Sequence, residues 1–384
     1  IHATGQYIRN VKAPVFFFPS FGFDPNTGLT IGNLQPINAE LRNTYFWSVN
    51  ASIPVFHREL TMQKEISSLQ EKMQKEYSLL HKTELRVSIS RAYYDILALR
   101  SEQKALASSI RSTENILAET LSLWKKGMLT DADTLRAFAQ MVHLRSVLTR
   151  LQTDDTVAVH TLGALLGFTQ STMPNYILTD SLTLNTRIPD MPRTIDSSFV
   201  ARHDLAIAQY MTDIADKSID IEQAQHYPTI TALAGWRIQS QSDNFNVAQQ
   251  VFPNSSFLGV QIDIPLFQGF RTHHRTEYAE IGKKQSEQYY DKLKQDIIRE
   301  VDGIVVRMRS VEKKLAAQNV HNASLKRIFS LTQARFIQGM IRYNELNETL
   351  LQVLQVETEY IRSVYEYKLL EIELEKTIMF PSNT

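Results

Sequence analysis

Between residues 58 and 124 the chain has neither proline nor glycine, and its apolar positions recur at alternating steps of three and four. One register takes in Leu85, Ala92, Leu99 and Leu106. The other takes in Ile89, Ile96, Ile110, Leu117 and Trp124, with Gln103 as the exception. This is the seam of a coiled coil. It predicts one helix of about 66 residues, near 100 Å at a rise of about 1.5 Å per residue. A second long helix, from beyond Phe270 to Phe336, carries the same seam at Ile297, Val301, Ile304, Met308, Val311 and Leu315. Shorter helices are predicted at about 131–166, where Gly167 is the stop, at 199–226 ahead of Tyr227-Pro228, and at 343–378.

Elsewhere the period drops to two. Tyr45, Trp47, Val49, Ala51 and Ile53 alternate with Phe46, Ser48, Asn50 and Ser52, which predicts a strand that is greasy on one side, mostly wet on the other, and ended by Pro54. Leu258, Val260, Ile262 and Ile264 alternate in the same way with Gly259, Gln261 and Asp263. A strand is expected at 230–239. Another is expected from residue 1 to about 19, where Tyr7, Phe16, Phe17 and Phe18 fall, followed by a Gly/Pro/Asn-rich loop reaching about residue 43. The stretch 169–198, with Pro174, Pro189 and Pro192, reads as a connector holding one short strand at 177–184.

The chain turns twice in the same manner. Trp124 is followed three residues on by Gly127-Met128, and Phe336 by Gly339-Met340. The two glycines lie 212 residues apart, and the tetrapeptides Ile53-Pro54-Val55-Phe56 and Ile264-Pro265-Leu266-Phe267 lie 211 apart, which makes an internal repeat. The domain plan is therefore strands with an outer loop at 1–56, a helical hairpin at 57–168, the connector at 169–198, a leading helix at 199–228, strands at 229–268 and a second hairpin at 269–384. The repeat predicts a further leading helix ahead of Ile1, because Ile1 aligns with the residues just after Pro228.

Composition narrows the function. Only 13 Gly and 12 Pro punctuate 384 residues, as expected for long uninterrupted elements. Lys plus Arg equals Asp plus Glu at 41 each, so the electrostatic footprint of a nucleic-acid binder is missing. With no cysteine there is no disulfide, thiolate metal site or cysteine nucleophile. No run of 18 apolar residues encodes a transmembrane helix, so a membrane role would need strands. No starting Met or apolar leader opens the chain, so a secretion signal is expected to lie outside it. The sequence carries no G-x-S-x-G, H-E-x-x-H, Walker loop or dinucleotide fingerprint, which argues against an enzyme, and no cofactor is called for. His273-His274 is a poor chelate, because neighbours on a helix point about 100° apart. Tyr45, Trp47 and Trp236 suit an interfacial girdle or plain sheet packing equally well.

Two strand-loop-strand units, each feeding a long hairpin, hold too few strands to close a barrel alone, whereas several copies together can. Ile53-Pro54-Val55-Phe56, Ile264-Pro265-Leu266-Phe267-Gln268-Gly269, Tyr93-Tyr94, the two Gly-Met turns and Leu165-Leu166-Gly167 occur in this order at a double spacing. In these features the chain resembles the TolC-type outer-membrane efflux protein family over nearly its full length. The resemblance implies a mostly α fold with a β part, assembling as a homotrimer into a β-barrel in the outer membrane of a Gram-negative bacterium and an α-helical barrel in the periplasm. It implies a passive exit duct, embedded in outer-membrane lipid and joined by a periplasmic adaptor to an inner-membrane pump of RND or ABC type.

The resemblance also assigns residues. Gly127, Met128, Leu129, Gly339, Met340 and Ile341 would be tips that meet the adaptor. Glu345 and Glu348, six and nine residues after the second-turn glycine, would form lumenal rings that favour cations. The first turn has Asp133 at plus six but Arg136 at plus nine, and at that spacing the two can simply pair. The family's gate tyrosine and arginine correspond here to Phe336 and to Ile341, with Arg342 one place late, so a phenol latch is missing. Glu345 and Glu348 also suit plain solvated acids in a first helical turn. Two other readings share these features: a type I secretion duct for polypeptides, and a soluble coiled-coil scaffold capped by a small sheet.

Overall fold

The computed structural model describes residues 1–12, 15–24, 28–38, 42–169, 180–183, 199, 202–245 and 250–378. In chain order the elements are β1 (His2–Arg9), β2 (Val15–Asp24), β3 (Gly28–Asn38), β4 (Asn43–Phe56), α1 (Arg58–Lys125), α2 (Asp131–Leu165), α3 (His203–Ala224), β5 (Thr229–Ser242), β6 (Asn254–Asp263), α4 (Arg271–Ile337) and α5 (Tyr343–Ile378). The long helices α1 and α4 run 68 and 67 residues without a break. The chain divides into two compact units, one of Ile1–Leu69 with Asp213–Lys283, the other of Gln70–Thr212 with Lys284–Thr384.

The first unit holds a four-stranded antiparallel sheet in the order β1-β4-β5-β6. Tyr7 lies opposite Tyr45, Val49 opposite Trp236, Ala234 opposite Leu258 and Ala232 opposite Val260. Opposed residues project to the same side of a sheet. The register therefore carries the greasy alternation of β4 through Trp236, Ala234 and Ala232 of β5 to Leu258, Val260 and Ile262 of β6. Trp47, Val49, Ile53, Leu258, Val260 and Ile262 are all solvent-exposed, so no described residue covers the apolar face. The opposite face is largely polar, and its side chains bond one another: Asn50 Nδ2 donates to Ser48 Oγ (3.2 Å), Arg237 Nε to Ser255 Oγ (2.9 Å) and Gln261 Nε2 to Asp263 Oδ2 (2.9 Å). Phe46, Leu233 and Phe257 interrupt it. Phe257 lies over Gly235, where a Cβ would come within 2.3 Å of the ring, so glycine makes room for the aromatic across the strand. Among the described residues β1 and β6 each pair on one side only.

Two expectations fail in the first unit. The stretch after residue 19 is not a loop, because β2 and β3 form a two-stranded hairpin from Val15 opposite Asn38 to Asp24 opposite Gly28. Its Pro and Gly read as breakers of a sheet interior, but a two-stranded ribbon is all edge, and Pro19 falls at a register shift where an unpaired position is tolerated. Nor does Pro54 end β4, which continues through a bulge to Phe56 opposite Ile230. The helical ends of this unit are tied by ion pairs, Lys217 to Glu65 (3.0 Å) and Lys283 to Asp216 (2.7 Å). Most of the short strand expected at 177–184 lies outside the described residues, and 180–183 are not strand.

In the second unit the heptad seams become cores. Leu106 and Ile110 of α1 pack with Leu144 and Leu151 of α2. Ile304, Val305, Met308, Val311 and Leu315 of α4 pack with Val364, Tyr367, Leu370 and Leu374 of α5. The hairpins are joined laterally by ion pairs from Arg91 to Glu373 (3.0 Å) and from Arg362 to Glu102 (3.1 Å), both between α1 and α5. Arg202, just ahead of α3, is held between Asp204 (2.8 Å) and Glu300 of α4 (2.6 Å). Tyr93 of α1 hydrogen-bonds Asp180, and that acceptor pushes the phenol up to about 12.

Candidate functional site at the two hairpin turns

Each hairpin turns through the same backbone device. Gly127 N donates to Trp124 O (2.8 Å) and Met128 N to Leu123 O (3.0 Å), while Gly339 N donates to Phe336 O (2.8 Å) and Met340 N to Arg335 O (3.0 Å). These are paired Schellman bonds, which satisfy the last helical carbonyls when the next residue is left-handed. Gly127 and Gly339 supply that residue at φ 75 and 72, where a side chain would strain the backbone. Gly167 closes α2 in the same way, at φ 84.

One hydrophobic cluster draws the two turns together. It contains Ile116 and Leu123 of α1, Ala137 of α2, Phe336 of α4, Ile341, and Tyr343, Leu346 and Leu350 of α5, with Leu129 against it. Contact is close enough that a Cβ on Gly339 would come within 2.5 Å of Met128 Cε. The six tip residues are thus brought into one place, though with different exposure. Met128 and Met340 are exposed, whereas Ile341 is part of the core.

The expected gate residues separate just as clearly. Phe336, placed with the gate by its sequence position, has 0% exposure and packs inside the shared core. Arg342, Glu345 and Glu348 are exposed. Glu345 and Glu348 are three apart on α5, so they lie on one face, opposite the buried Tyr343, Leu346 and Leu350. Among the described residues neither makes an ion pair. Asp133 differs: its carboxylate accepts from Thr130 N (3.1 Å) and Thr130 Oγ1 (2.7 Å) and lies 3.5 Å from Arg136. The Thr130 hydroxyl chiefly holds the Asp133 carboxyl below its usual value, with Arg136 and Arg342 adding attraction. The pairing with Arg136 was visible in the spacing, but the capping box was missed even though Thr130-x-x-Asp133 is its sequence signature.

Two further groups were not anticipated. Tyr343 is buried beside Leu346, its phenol facing Asn347 Oδ1 at 3.3 Å, and burial pushes it up to about 12. Glu119 of α1 has a buried oxygen with no hydrogen-bond partner among the described residues, and burial raises its carboxyl. Neither leaves a sequence signal, since a polar residue beside a heptad seam is ordinary. Among the described residues no cluster of His, Asp and Glu suits a metal ion, and no helix is long and apolar enough to cross a membrane.

A sheet with an uncovered apolar face and two long hairpins sharing a core at their turns make the fold of the TolC-like outer-membrane channels. Known proteins agree. Residues 194–378, a little under half of the chain, match the family described as outer membrane efflux protein. The solvent efflux pump outer membrane protein SrpC of Pseudomonas putida is 30% identical over 178 residues, 46% of this chain and 35% of SrpC. The cation efflux system protein CusC of Escherichia coli K12 is 22% identical over 267 residues, 67% of this chain and 56% of CusC. These alignments therefore span about a third to a half of the relatives' own lengths. The crystal structure of the outer membrane protein VceC from Vibrio cholerae superposes with a TM-score of 0.74 at 14% identity, covering 98% of this chain and 87% of that one.

Proposed function

We propose that this chain is the outer-membrane exit duct of a tripartite efflux system, a passive conduit and not an enzyme. It would sit in the outer membrane of a Gram-negative bacterium and take cargo chosen by an inner-membrane pump, of RND or ABC type, through a periplasmic adaptor. The observation that carries this reading is the sheet, in which, among the described residues, one continuous apolar face is uncovered and both edges are unpaired. Such a sheet is unsuited to water on its face and to lipid at its edges. Closure by further copies of itself resolves both, with the apolar face outward and the polar face toward a lumen. The resemblance implies three copies.

In this reading the strands of 1–56, which also hold an outer loop, and those of 229–268 line the membrane part, and 57–168 and 269–384 form the periplasmic hairpins. Met128 and Met340 are the exposed tip residues that meet the adaptor. Glu345 and Glu348, exposed and unpaired on one face, supply two rings of three carboxylates that favour cations. Their freedom from ion pairs supports that role, and the capped state of Asp133 argues against adding it to the ring. The test is planar-bilayer conductance of the purified full chain, compared with Glu345→Gln/Glu348→Gln. Cation-selective conductance that loses its selectivity in the variant is expected. A monodisperse, detergent-free protein with no conductance would sink the channel reading and leave a soluble scaffold.

A further inference from the structure

Three chain junctions converge at one end of the sheet. They are Phe56 to Arg58 leaving β4, Ala224 to Thr229 entering β5, and Asp263 to Arg271 leaving β6, and they line a cleft of about 420 Å³. That size falls in the range of about 300–1,000 Å³ that holds small ligands. Its polar wall contains Arg58, Arg271, Glu59, Asp263 and His57. Among the described residues neither arginine makes an ion pair. Arg58 lies over the Tyr227 ring, 4.5 Å from its centroid, and Arg271 Nη2 donates to Gln268 Oε1 at 2.9 Å. His57 Nδ1 is buried without a hydrogen-bond partner among the described residues. Two arginines that make no ion pair among the described residues and a histidine thus line the same space as two carboxylate residues, of which Asp263 accepts a bond from Gln261.

The chain segment beside this cleft is apolar and exposed. Ile264 is in its lining, and Leu266, Phe267 and Phe270 follow it in the chain before Arg271, all exposed, with Phe267 meeting Phe270 edge-on at a centroid separation of 6.0 Å. Phe270 adopts φ 60 directly after Gly269 at φ 59, a left-handed pair rare for a bulky residue, and the residue is 69% exposed. An apolar segment beside a wall of both charges is the negative of an amphiphile whose head carries a phosphate and an amine.

From this juxtaposition we infer that the junction cleft binds the headgroup of a zwitterionic phospholipid of the ethanolamine class. Its phosphate pairs with Arg58 and Arg271, its ammonium pairs with Glu59 and Asp263, and its acyl chains lie along Ile264, Leu266, Phe267 and Phe270. Guanidiniums take phosphate oxygens in bidentate fashion, and the paired carboxylates set the preference for an amine over a neutral head. The inference rests on the membrane reading of the sheet.

The test is native mass spectrometry of the full chain released from detergent carrying phosphatidylethanolamine or phosphatidylglycerol, with planar-bilayer conductance recorded on the same preparation. One phosphatidylethanolamine retained per protomer is expected, favoured at least tenfold over phosphatidylglycerol. Arg58→Gln/Arg271→Gln should lower retention at least tenfold, and Glu59→Gln/Asp263→Asn should equalise the two lipids. If the arginine variant fails to assemble, the headgroup preference of the unaltered protein decides the matter alone. Equal retention of both lipids by the unaltered protein, retention undiminished in an assembled arginine variant, or displacement of the lipid by inorganic phosphate would each overturn the proposal, the last by assigning the cleft to free phosphate. A preparation that conducts but shows no headgroup preference overturns this site alone. One that does not conduct overturns the duct reading.

Discussion

The two hairpin turns share a backbone and differ in almost everything attached to it. Both read aromatic-x-x-Gly-Met, both end in Schellman bonds, and both place an acid six residues after the glycine. Yet Trp124 is 41% exposed where Phe336 is fully buried. Asp133 is held by Thr130, while Glu345, at the same third position of its helix, is free. The second difference has a simple cause, because the residue ahead of α2 is Thr130 and the residue ahead of α5 is Arg342. Only the hydroxyl can close a reciprocal cap. The repeated motif thus sets the path of the chain, and its neighbours decide what each copy offers. The first turn exposes an aromatic and uses up its acid; the second buries its aromatic and leaves its acids to solvent.

Substitutions at equivalent positions sharpen this contrast. Phe336→Ala should cost about 3–5 kcal/mol of unfolding free energy, the cost of emptying a packed aromatic site. Trp124→Ala should cost less than half as much, and thermal denaturation of the pair would show it. Equal losses would mean that the turns are packed alike. Gly339→Ala and Gly127→Ala should each lose about 1–2 kcal/mol through the left-handed backbone. Gly339→Ala should lose more than its counterpart because its Cβ meets Met128, and adding Met128→Ala should remove that excess.

The acids give a smaller, two-sided comparison. Asp133→Asn should lose about 1 kcal/mol with its cap and leave ion selectivity unchanged, whereas Glu345→Gln/Glu348→Gln should do the reverse. Asp133 titrates below its ordinary value in the folded protein, so its contribution is complete above about pH 4 and fades as pH falls through the lowered value. The stability gap between the native chain and Asp133→Asn should therefore close in acid. Glu119 has the opposite sign. With its carboxyl raised by burial, the folded state is favoured when the group is protonated, and stability falls as pH rises from the unfolded value through the raised one. Glu119→Gln should accordingly gain about 0.5–1 kcal/mol near neutral pH and little in acid; a loss at neutral pH would show that the buried oxygen has a partner.

How much of this was legible follows from the length scale of each signal. The long helices came through to within a residue or two, α1 and α5 among them, because a seam repeated over many turns averages out exceptions such as Gln103. The greasy face of β4 was readable for the same reason. Its continuation through Trp236 to Leu258 needed the register, which no single strand contains. The β2–β3 hairpin was missed because Pro19, Gly22, Gly28 and Pro36 argue against strand everywhere except in a ribbon of edges. At the turns the glycines and the spacing of the acids were plain, but the burial of Phe336 and Tyr343 depends on the two hairpins meeting, a contact between residues about 200 positions apart.

The unpaired edges β1 and β6 bear on the order of events in the cell. A strand edge cannot be left in hydrocarbon with its amide groups unbonded, and the apolar face beside it is no better left in water. On the duct reading proposed above, completion of the sheet by neighbouring copies is therefore coupled to its entry into the bilayer, because neither half of that change suits the sheet without the other.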